Sequence, residues 1–170
     1  MQNHFALFHL PVTFAIDSRT LDQAYHDVQN QVHPDKFITA SDAEKRVAMQ
    51  WATRANEAYQ TLKNPLQRAR YLCELNGVDL QIDSNTAMPH EFLIQQMTWR
   101  EALDDARSAS DETALNGLEC ALRQQRLAEL ATIEARLDAQ DYAGAALGVR
   151  RLMFVERFGD EVAATFDLLA

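Results

Sequence analysis

The chain has 170 residues, of which 47% are hydrophobic, 8% aromatic and 24% charged, and its formal net charge is −9 at pH 7. This composition is ample for a packed core and is unlike that of a disordered protein. The excess negative charge lies in residues 76–170, which hold seventeen acidic and eight basic side chains. Because an acidic surface repels phosphate backbones, this half argues against nucleic acid as a partner.

Residues 1–75 are expected to form four helices. A short apolar segment, residues 5–10, ends at Pro11, and Asp17 or Ser18 then offers a side-chain oxygen as the N-cap of a second helix. Apolar residues in that helix recur at the i, i+3, i+4, i+7 spacing of one buried face. The helix should stop before Pro34, because a proline ring biases the preceding residue, His33, away from helical geometry.

The third predicted helix begins at a capping box formed by Ser41 and Glu44. It runs for about six turns and stops before Pro65, and a short fourth helix covers residues 66–75. The spacing of the apolar residues in the third helix predicts a single core-facing stripe. That stripe comprises Ala48, Trp51, Ala55, Ala58, Tyr59 and Leu62.

Residues 76–87 are rich in turn-forming residues and lack helical periodicity, so they are predicted to be a linker. Three long helical stretches follow, roughly over residues 89–109, 111–139 and 141–170, with Asp111 and Asp141 as plausible N-caps. Short connections between long helices favour antiparallel neighbours. The prediction is therefore an all-α protein with an N-terminal domain over 1–75 and a three-helix bundle over 88–170.

No membrane, metal or cofactor chemistry is expected. No apolar run approaches the ~18 residues of a membrane span, and the N-terminus lacks the basic residue that precedes the apolar run of a secretory signal. Cys73 and Cys120 are isolated and lack the close ligand spacing of a zinc site, so both are interpreted as small buried hydrophobic residues. These features predict a cytoplasmic protein without a membrane partner, a metal or a cofactor.

The tripeptide His33-Pro34-Asp35 lies between two amphipathic helices and admits three interpretations. It could be a turn whose side chains cap the neighbouring helices, a catalytic pair, or a loop that contacts another protein. A catalytic pair needs a nucleophile or a substrate pocket, and the proline between the two side chains is expected to make them diverge. We therefore predict that the protein is not an enzyme and that these residues are not catalytic.

The segments HPDKF and NEAYQTLKNPLQRARYL, in this order and with these flanking helices, resemble the J-domain family of co-chaperones. The acidic helical C-terminal half is similar to that of the family members that serve iron–sulfur cluster assembly. The resemblance implies a four-helix J-domain that docks on a DnaK-type chaperone, here HscA, and stimulates its ATP hydrolysis. It assigns the chaperone contact to His33, Pro34, Asp35 and Lys36.

One departure from the family concerns the second helix, which usually carries several basic residues. In this chain the helix has only Arg19, with Asp22 and Asp27 against it. Ionic steering toward an acidic chaperone face is therefore expected to be weaker than in a strongly basic J-domain.

The first helix of the bundle has two apolar sides. At 100° per residue, one side should face the core, and it comprises Phe92, Trp99, Ala102, Leu103 and Ala106. Leu93, Ile94 and Met97 lie on another side, and on the last helix Phe154 points away from the predicted core face. Such residues could pack against the other domain or form an apolar patch that binds a partner.

The resemblance favours the interpretation of these residues as a patch that binds a partner. It implies that the C-terminal domain binds the iron–sulfur scaffold protein IscU and delivers it to the chaperone. Carried over by position, the scaffold-binding residues are Leu93, Ile94, Met97, Thr98, Glu101, Asp105 and Phe154. The function expected from the sequence is thus a co-chaperone and adaptor, with a J-domain adaptor for a different client protein as the alternative.

Overall fold

The computed structural model describes residues 2–80 and 88–170, which contain seven α-helices and no strand. The predicted all-α class is confirmed. The chain divides into two compact units, Met1–Leu72 (unit 1) and Cys73–Ala170 (unit 2). The sequence prediction placed the end of the first domain at residue 75 and a linker over 76–87, of which residues 81–87 lie outside the described part of the chain.

Unit 1 begins with three helices, α1 (His4–Leu7), α2 (Ser18–Gln31) and α3 (Asp42–Lys63), with a 3-10 turn at Pro34–Phe37. The last helix of the N-terminal half, α4 (Pro65–Leu75), crosses the boundary between the units. The predicted caps are confirmed: Asp17 accepts from the backbone N–H of Arg19, and Ser41 and Glu44 satisfy each other's backbone N–H at 3.0 and 3.2 Å. These caps set where α2 and α3 begin.

The core of unit 1 forms where α1 and α2 pack against α3. Phe5, Leu21 and Leu62 are fully buried there. At the edge of the same contact the rings of Tyr25 and Tyr59 stack with their centroids 4.1 Å apart. These contacts join the two long helices on either side of the His33-Pro34-Asp35 segment and so fix its position.

One residue of the predicted α3 stripe does not pack into this core. Trp51 keeps 37% of its surface exposed, although its helical position places it among Ala48, Ala55 and Ala58, which are buried. The reason is that Trp51 borders an open groove between α3, α2 and the segment after α1, with no side chain filling it. The periodicity predicted the direction of Trp51 correctly but not its burial.

Unit 2 contains three long helices, α5 (His90–Ala109), α6 (Glu112–Asp138) and α7 (Tyr142–Leu169). Asp111 and Asp141 cap α6 and α7 by accepting from the backbone N–H groups of Ala114 and Gly144, as predicted. The helices share a core that includes Phe92, Trp99, Leu103, Leu115, Leu118, Leu122, Val155, Phe158 and Val162. Ala102 was predicted to join this core but is exposed, because it lies at the edge of the α5 stripe.

The two cysteines differ in environment. Cys73 is buried, and this burial raises the pKa of its thiol to about 11, which keeps it protonated and unreactive at neutral pH. Cys120 is exposed on α6, so the prediction that both are buried is wrong for Cys120.

Within residues 2–80 and 88–170, no group of three or more His, Cys, Asp or Glu is arranged to hold a metal ion. None of the helices described is long and apolar enough to cross a membrane.

His4 should make the stability of unit 1 depend on pH. Its ring stacks on Tyr71, with the ring centroids 4.4 Å apart. Burial lowers the pKa of His4 below the ordinary value of 6.5. The charge of Glu57 raises this pKa by a smaller amount, and the charge of Arg54 lowers it further. The unfolded chain therefore takes up this proton at a higher pH than the folded chain, so the stabilising contribution is present above pH 6.5 and is lost as the pH falls.

The variant His4→Phe keeps a ring on Tyr71 but cannot take up a proton. We expect melting temperatures of the parent to fall more than those of His4→Phe between pH 8 and pH 5. Equal falls in the two proteins would show that His4 stays uncharged or solvated over this range.

Candidate functional site

The first candidate surface is the turn between α2 and α3. Pro34 occupies the first turn of the 3-10 helix, where its missing N–H leaves no hydrogen bond unmade. His33 adopts extended geometry (φ −60°, ψ 135°), as expected before proline. Its Nδ1 accepts from the backbone N–H of Asp35 at 3.2 Å. The histidine thus caps the turn that presents Asp35.

The side chains of His33 and Asp35 approach each other, contrary to the prediction that the proline makes them diverge. His33 Nδ1 lies 3.5 Å from Asp35 Oδ2, because the ring folds back to cap the turn. Both side chains remain open to solvent, at 57% and 82% exposure respectively. Lys36 follows on the same turn and is also exposed. The arrangement offers a carboxylate and an imidazole to an approaching molecule.

The second candidate surface lies on α5. Leu93, Met97, Glu101 and Asp105 are spaced four residues apart, so they form a row along one side of the helix. Leu93 and Met97 are 43% and 63% exposed, and Ile94 beside them is 50% exposed. The row is apolar over its first half and acidic over its second. We refer to Leu93, Ile94, Met97, Glu101 and Asp105 as the α5 patch.

The polar residues of this side of α5 differ in what they can offer. Thr98 is exposed, but its hydroxyl donates to the carbonyl of Ile94 at 3.1 Å. Neither Glu101 nor Asp105 forms an ion pair within the described part of the chain, whereas their neighbour Asp104 pairs with Arg107 at 3.8 Å. The two unpaired carboxylates are therefore available to a basic partner, and Thr98 has less to contribute.

Phe154 lies closer to the core than predicted. Its ring stacks on Phe158 at 5.8 Å and on Trp99 at 6.3 Å, and it meets Phe92 edge-to-face at 5.7 Å. It is partly buried against the core of unit 2. The prediction failed because the buried stripe of α7 shifts around the helix. It passes through Ala145 and Val149 near the start and through Phe158 and Val162 further on, on the side of Phe154.

The structure brings Phe154 and the α5 patch together. A cleft of about 340 Å³ is lined by Gln96, Met97, Arg100, Glu101 and Phe154. The sequence analysis did not single out Arg100, although its spacing of three residues from Met97 places it near the same side.

Arg100 connects α5 to α7. Its guanidinium forms an ion pair with Glu161 and lies over the ring of Phe158, 5.1 Å from the centroid. The pair neutralises the arginine beside the cleft. The charge left at the cleft is therefore that of Glu101, and the net character of the surface is apolar with an acidic edge.

An exposed His-Pro-Asp turn between two long helices, in a chain that continues into a helical bundle with its own exposed apolar patch, defines a J-domain co-chaperone. Comparisons with known proteins agree. The family model described as the HSCB C-terminal oligomerisation domain matches residues 88–163. A Co-chaperone protein HscB homolog from Burkholderia mallei (strain SAVP1) is 56% identical over 167 residues, which cover 98% of this chain and 95% of that protein. The chain belongs to the HscB family.

Two solved structures are similar over nearly the whole length of this chain. The chaperone HscB from Vibrio cholerae is 34% identical, with a TM-score of 0.86 and coverage of 99% of both chains. Human co-chaperone protein HscB is 25% identical, with a TM-score of 0.91, covering 96% of this chain and 82% of that one. Both matches extend over unit 1 and unit 2.

Proposed function

We propose that this protein docks on a DnaK-type chaperone, HscA, through His33, Pro34, Asp35 and Lys36 and stimulates its ATP hydrolysis. The proposal is carried by the exposed turn that His33 caps and by membership of the HscB family. The same chain binds the iron–sulfur scaffold protein IscU and delivers it to the chaperone, and so assists the maturation of iron–sulfur proteins. It acts as an adaptor and has no catalytic residues of its own.

The chemistry of the turn suits a cationic contact on the chaperone. Asp35 can accept two parallel hydrogen bonds from an arginine, and such bidentate pairs are among the stronger polar contacts in proteins. The cap made by His33 and the fixed φ of Pro34 hold the carboxylate in place before docking, which lowers the entropy lost on binding. Lys36 adds a basic group beside the carboxylate and so favours a partner surface of mixed charge.

The scaffold contact is assigned to the α5 patch, with Phe154 across the cleft and Thr98 at its margin. Exposed apolar side chains with a charged rim are typical of protein-binding sites. Leu93, Ile94 and Met97 supply the apolar centre, and Glu101 and Asp105 supply the unpaired acidic rim. A scaffold surface with an apolar centre and basic edge is the complement.

The two contacts lie in different parts of the chain, which is what delivery requires. We assign chaperone docking to a J-domain over residues 1–75 and scaffold binding to residues 88–170, with residues 76–87 as the connection. One molecule can then hold both partners at once. The tether raises the local concentration of the scaffold at the chaperone.

The steady-state ATPase rate of HscA tests this function. We expect the purified chain to raise the rate, and the chain together with IscU to raise it further. If the chain stimulates HscA but neither binds IscU nor responds to it, the client is a different protein. If it fails to stimulate HscA at all, the chaperone assignment is wrong.

A further inference from the structure

Unit 1 carries an open groove that neither proposed contact uses. It has a volume of about 580 Å³ and lies between the segment after α1, α2 and the first half of α3. Its lining includes the apolar residues Leu7, Phe8, Val28, Val32 and Trp51. This volume lies within the range of about 300–1,000 Å³ that is usual for ligand pockets, so it can accept one or two side chains of a partner.

Trp51 shows that the groove extends the core without being filled. The ring lies on the buried stripe of α3, yet 37% of its surface is exposed. The guanidinium of Arg54 lies 5.4 Å from the ring centroid, and Trp51 also lines the groove. A large aromatic surface that is exposed in a concave site contributes binding energy when a partner covers it.

The polar lining favours a basic partner. Asp27 is the acidic residue of the lining, and its carboxylate accepts a hydrogen bond from Gln23 at 2.9 Å. Within the described residues Asp27 has no ion pair. A lysine or arginine next to an apolar side chain would satisfy the carboxylate and fill the apolar space at the same time.

The groove also adjoins the turn that we assign to chaperone docking. Val32 lines the groove and directly precedes His33. Three peptide units separate it from Asp35, so their Cα atoms lie within about 11 Å. A partner bound at Asp35 therefore reaches the groove without a long extension.

We propose that the groove binds an exposed segment of the DnaK-type chaperone in which an aliphatic side chain is flanked by a lysine or arginine. The aliphatic side chain lies against Trp51 and Val28, and the basic group pairs with Asp27. This inference rests on the proposed function and adds a second contact to the one at Asp35. The groove contact is expected to add to the affinity for the chaperone without being needed for stimulation, whereas the Asp35 contact contributes affinity and is also required for stimulation.

The test uses the full chain and titrates it into HscA while the ATPase rate is followed. Ala24→Leu fills the groove, since Ala24 lines it and leucine is well accepted in a helix. Asp27→Asn removes the carboxylate. The matched controls are Ala43→Leu, which makes the same substitution at an exposed alanine of α3, and Asp42→Asn, which removes an exposed carboxylate at the start of α3.

We expect each groove variant to raise the half-saturating concentration about tenfold, the change typical of losing one interface contact, with the maximal rate and the melting temperature preserved. Asp27→Asn should also reduce the dependence of this concentration on salt. The controls should titrate like the parent.

If the groove variants titrate like the parent while Asp35→Asn still abolishes stimulation, the groove proposal is wrong and the proposed function stands. If Asp35→Asn stimulates like the parent, the proposed function itself fails. Sedimentation of the parent and the variants tests whether a second copy of the chain occupies the groove. If the parent self-associates and Ala24→Leu does not, the groove binds a second copy of the chain and the proposal is wrong.

Discussion

Asp35→Asn is expected to abolish stimulation of the chaperone ATPase while leaving the fold intact. The substitution removes the charge that an arginine on the chaperone would pair with. Loss of one partner of a desolvated, hydrogen-bonded charge pair costs about 2–5 kcal/mol of binding free energy, or about thirtyfold or more in affinity. The side chain is 82% exposed, and exposed substitutions usually change the free energy of unfolding by no more than about 0.5 kcal/mol.

His33→Gln is expected to abolish stimulation as well, with a small additional cost in stability. The imidazole Nδ1 accepts the backbone N–H of Asp35, and loss of an N-cap typically costs about 1 kcal/mol. Asp35→Asn is thus the cleaner variant. Chaperone turnover and thermal melting check both, with Asp42→Asn as the control for charge. Parental stimulation by either variant would remove the turn from the docking site.

Truncation of Met97 and Leu93 to alanine is expected to weaken scaffold binding and to spare the fold. Apolar residues at the centre of an interface commonly contribute about 1–3 kcal/mol each, which is roughly tenfold to a hundredfold in affinity. Both side chains are exposed in this structure, so little packing is lost. Both variants should still stimulate the chaperone when scaffold is absent.

The chain offers matched controls for these substitutions. Met49→Ala makes the same change at a methionine that is 71% exposed in unit 1, and Leu127→Ala does so at a leucine that is 60% exposed on α6. Both should bind scaffold like the parent. Leu103→Ala deletes a fully buried side chain and should cost about 2–5 kcal/mol of stability.

Phe154→Ala should fall between these two groups. Its ring packs against Trp99 and Phe158 and also borders the cleft, so truncation should lower both the melting temperature and scaffold affinity. Titration calorimetry with IscU and thermal melting measure the two effects. If Met97→Ala and Leu93→Ala melt like Leu103→Ala, these side chains are structural; if they are stable and bind normally, the scaffold site lies elsewhere.

Local signals in the sequence predicted the helices well. The caps at Asp17, Ser41, Asp111 and Asp141 all lie where side-chain chemistry required them, because a cap depends on a few neighbouring residues. The core of α5 followed its helical period except at Ala102, which is exposed. Prolines fixed the ends of α2 and α3 through the geometry that they impose on the preceding residue.

The failures arose where the outcome depends on a partner element. Trp51 points toward the core, but the surrounding elements leave a groove beside it. The stripe of α7 shifts along the helix, so the pattern of its first half misplaced Phe154. The error at His33 is local instead, because its ring caps the turn and so folds back on Asp35. The ion pair of Arg100 with Glu161 depends on the contact between α5 and α7, which the sequence pattern of either helix does not give.

The central claim is that one molecule couples the two partners, and a mixture of two variants tests it most directly. Asp35→Asn keeps the α5 patch, and the double variant Leu93→Ala/Met97→Ala keeps the turn. Chaperone turnover is measured with the parent, with each variant, and with an equimolar mixture of the two. The scaffold is held at a concentration that does not stimulate HscA by itself.

The account predicts that the parent gives scaffold-dependent stimulation and that the mixture gives no more than the double variant alone, because the molecule that holds the scaffold cannot dock. Restoration of the parental, scaffold-dependent rate by the mixture would contradict the account, since the two surfaces would then act without being joined in one chain.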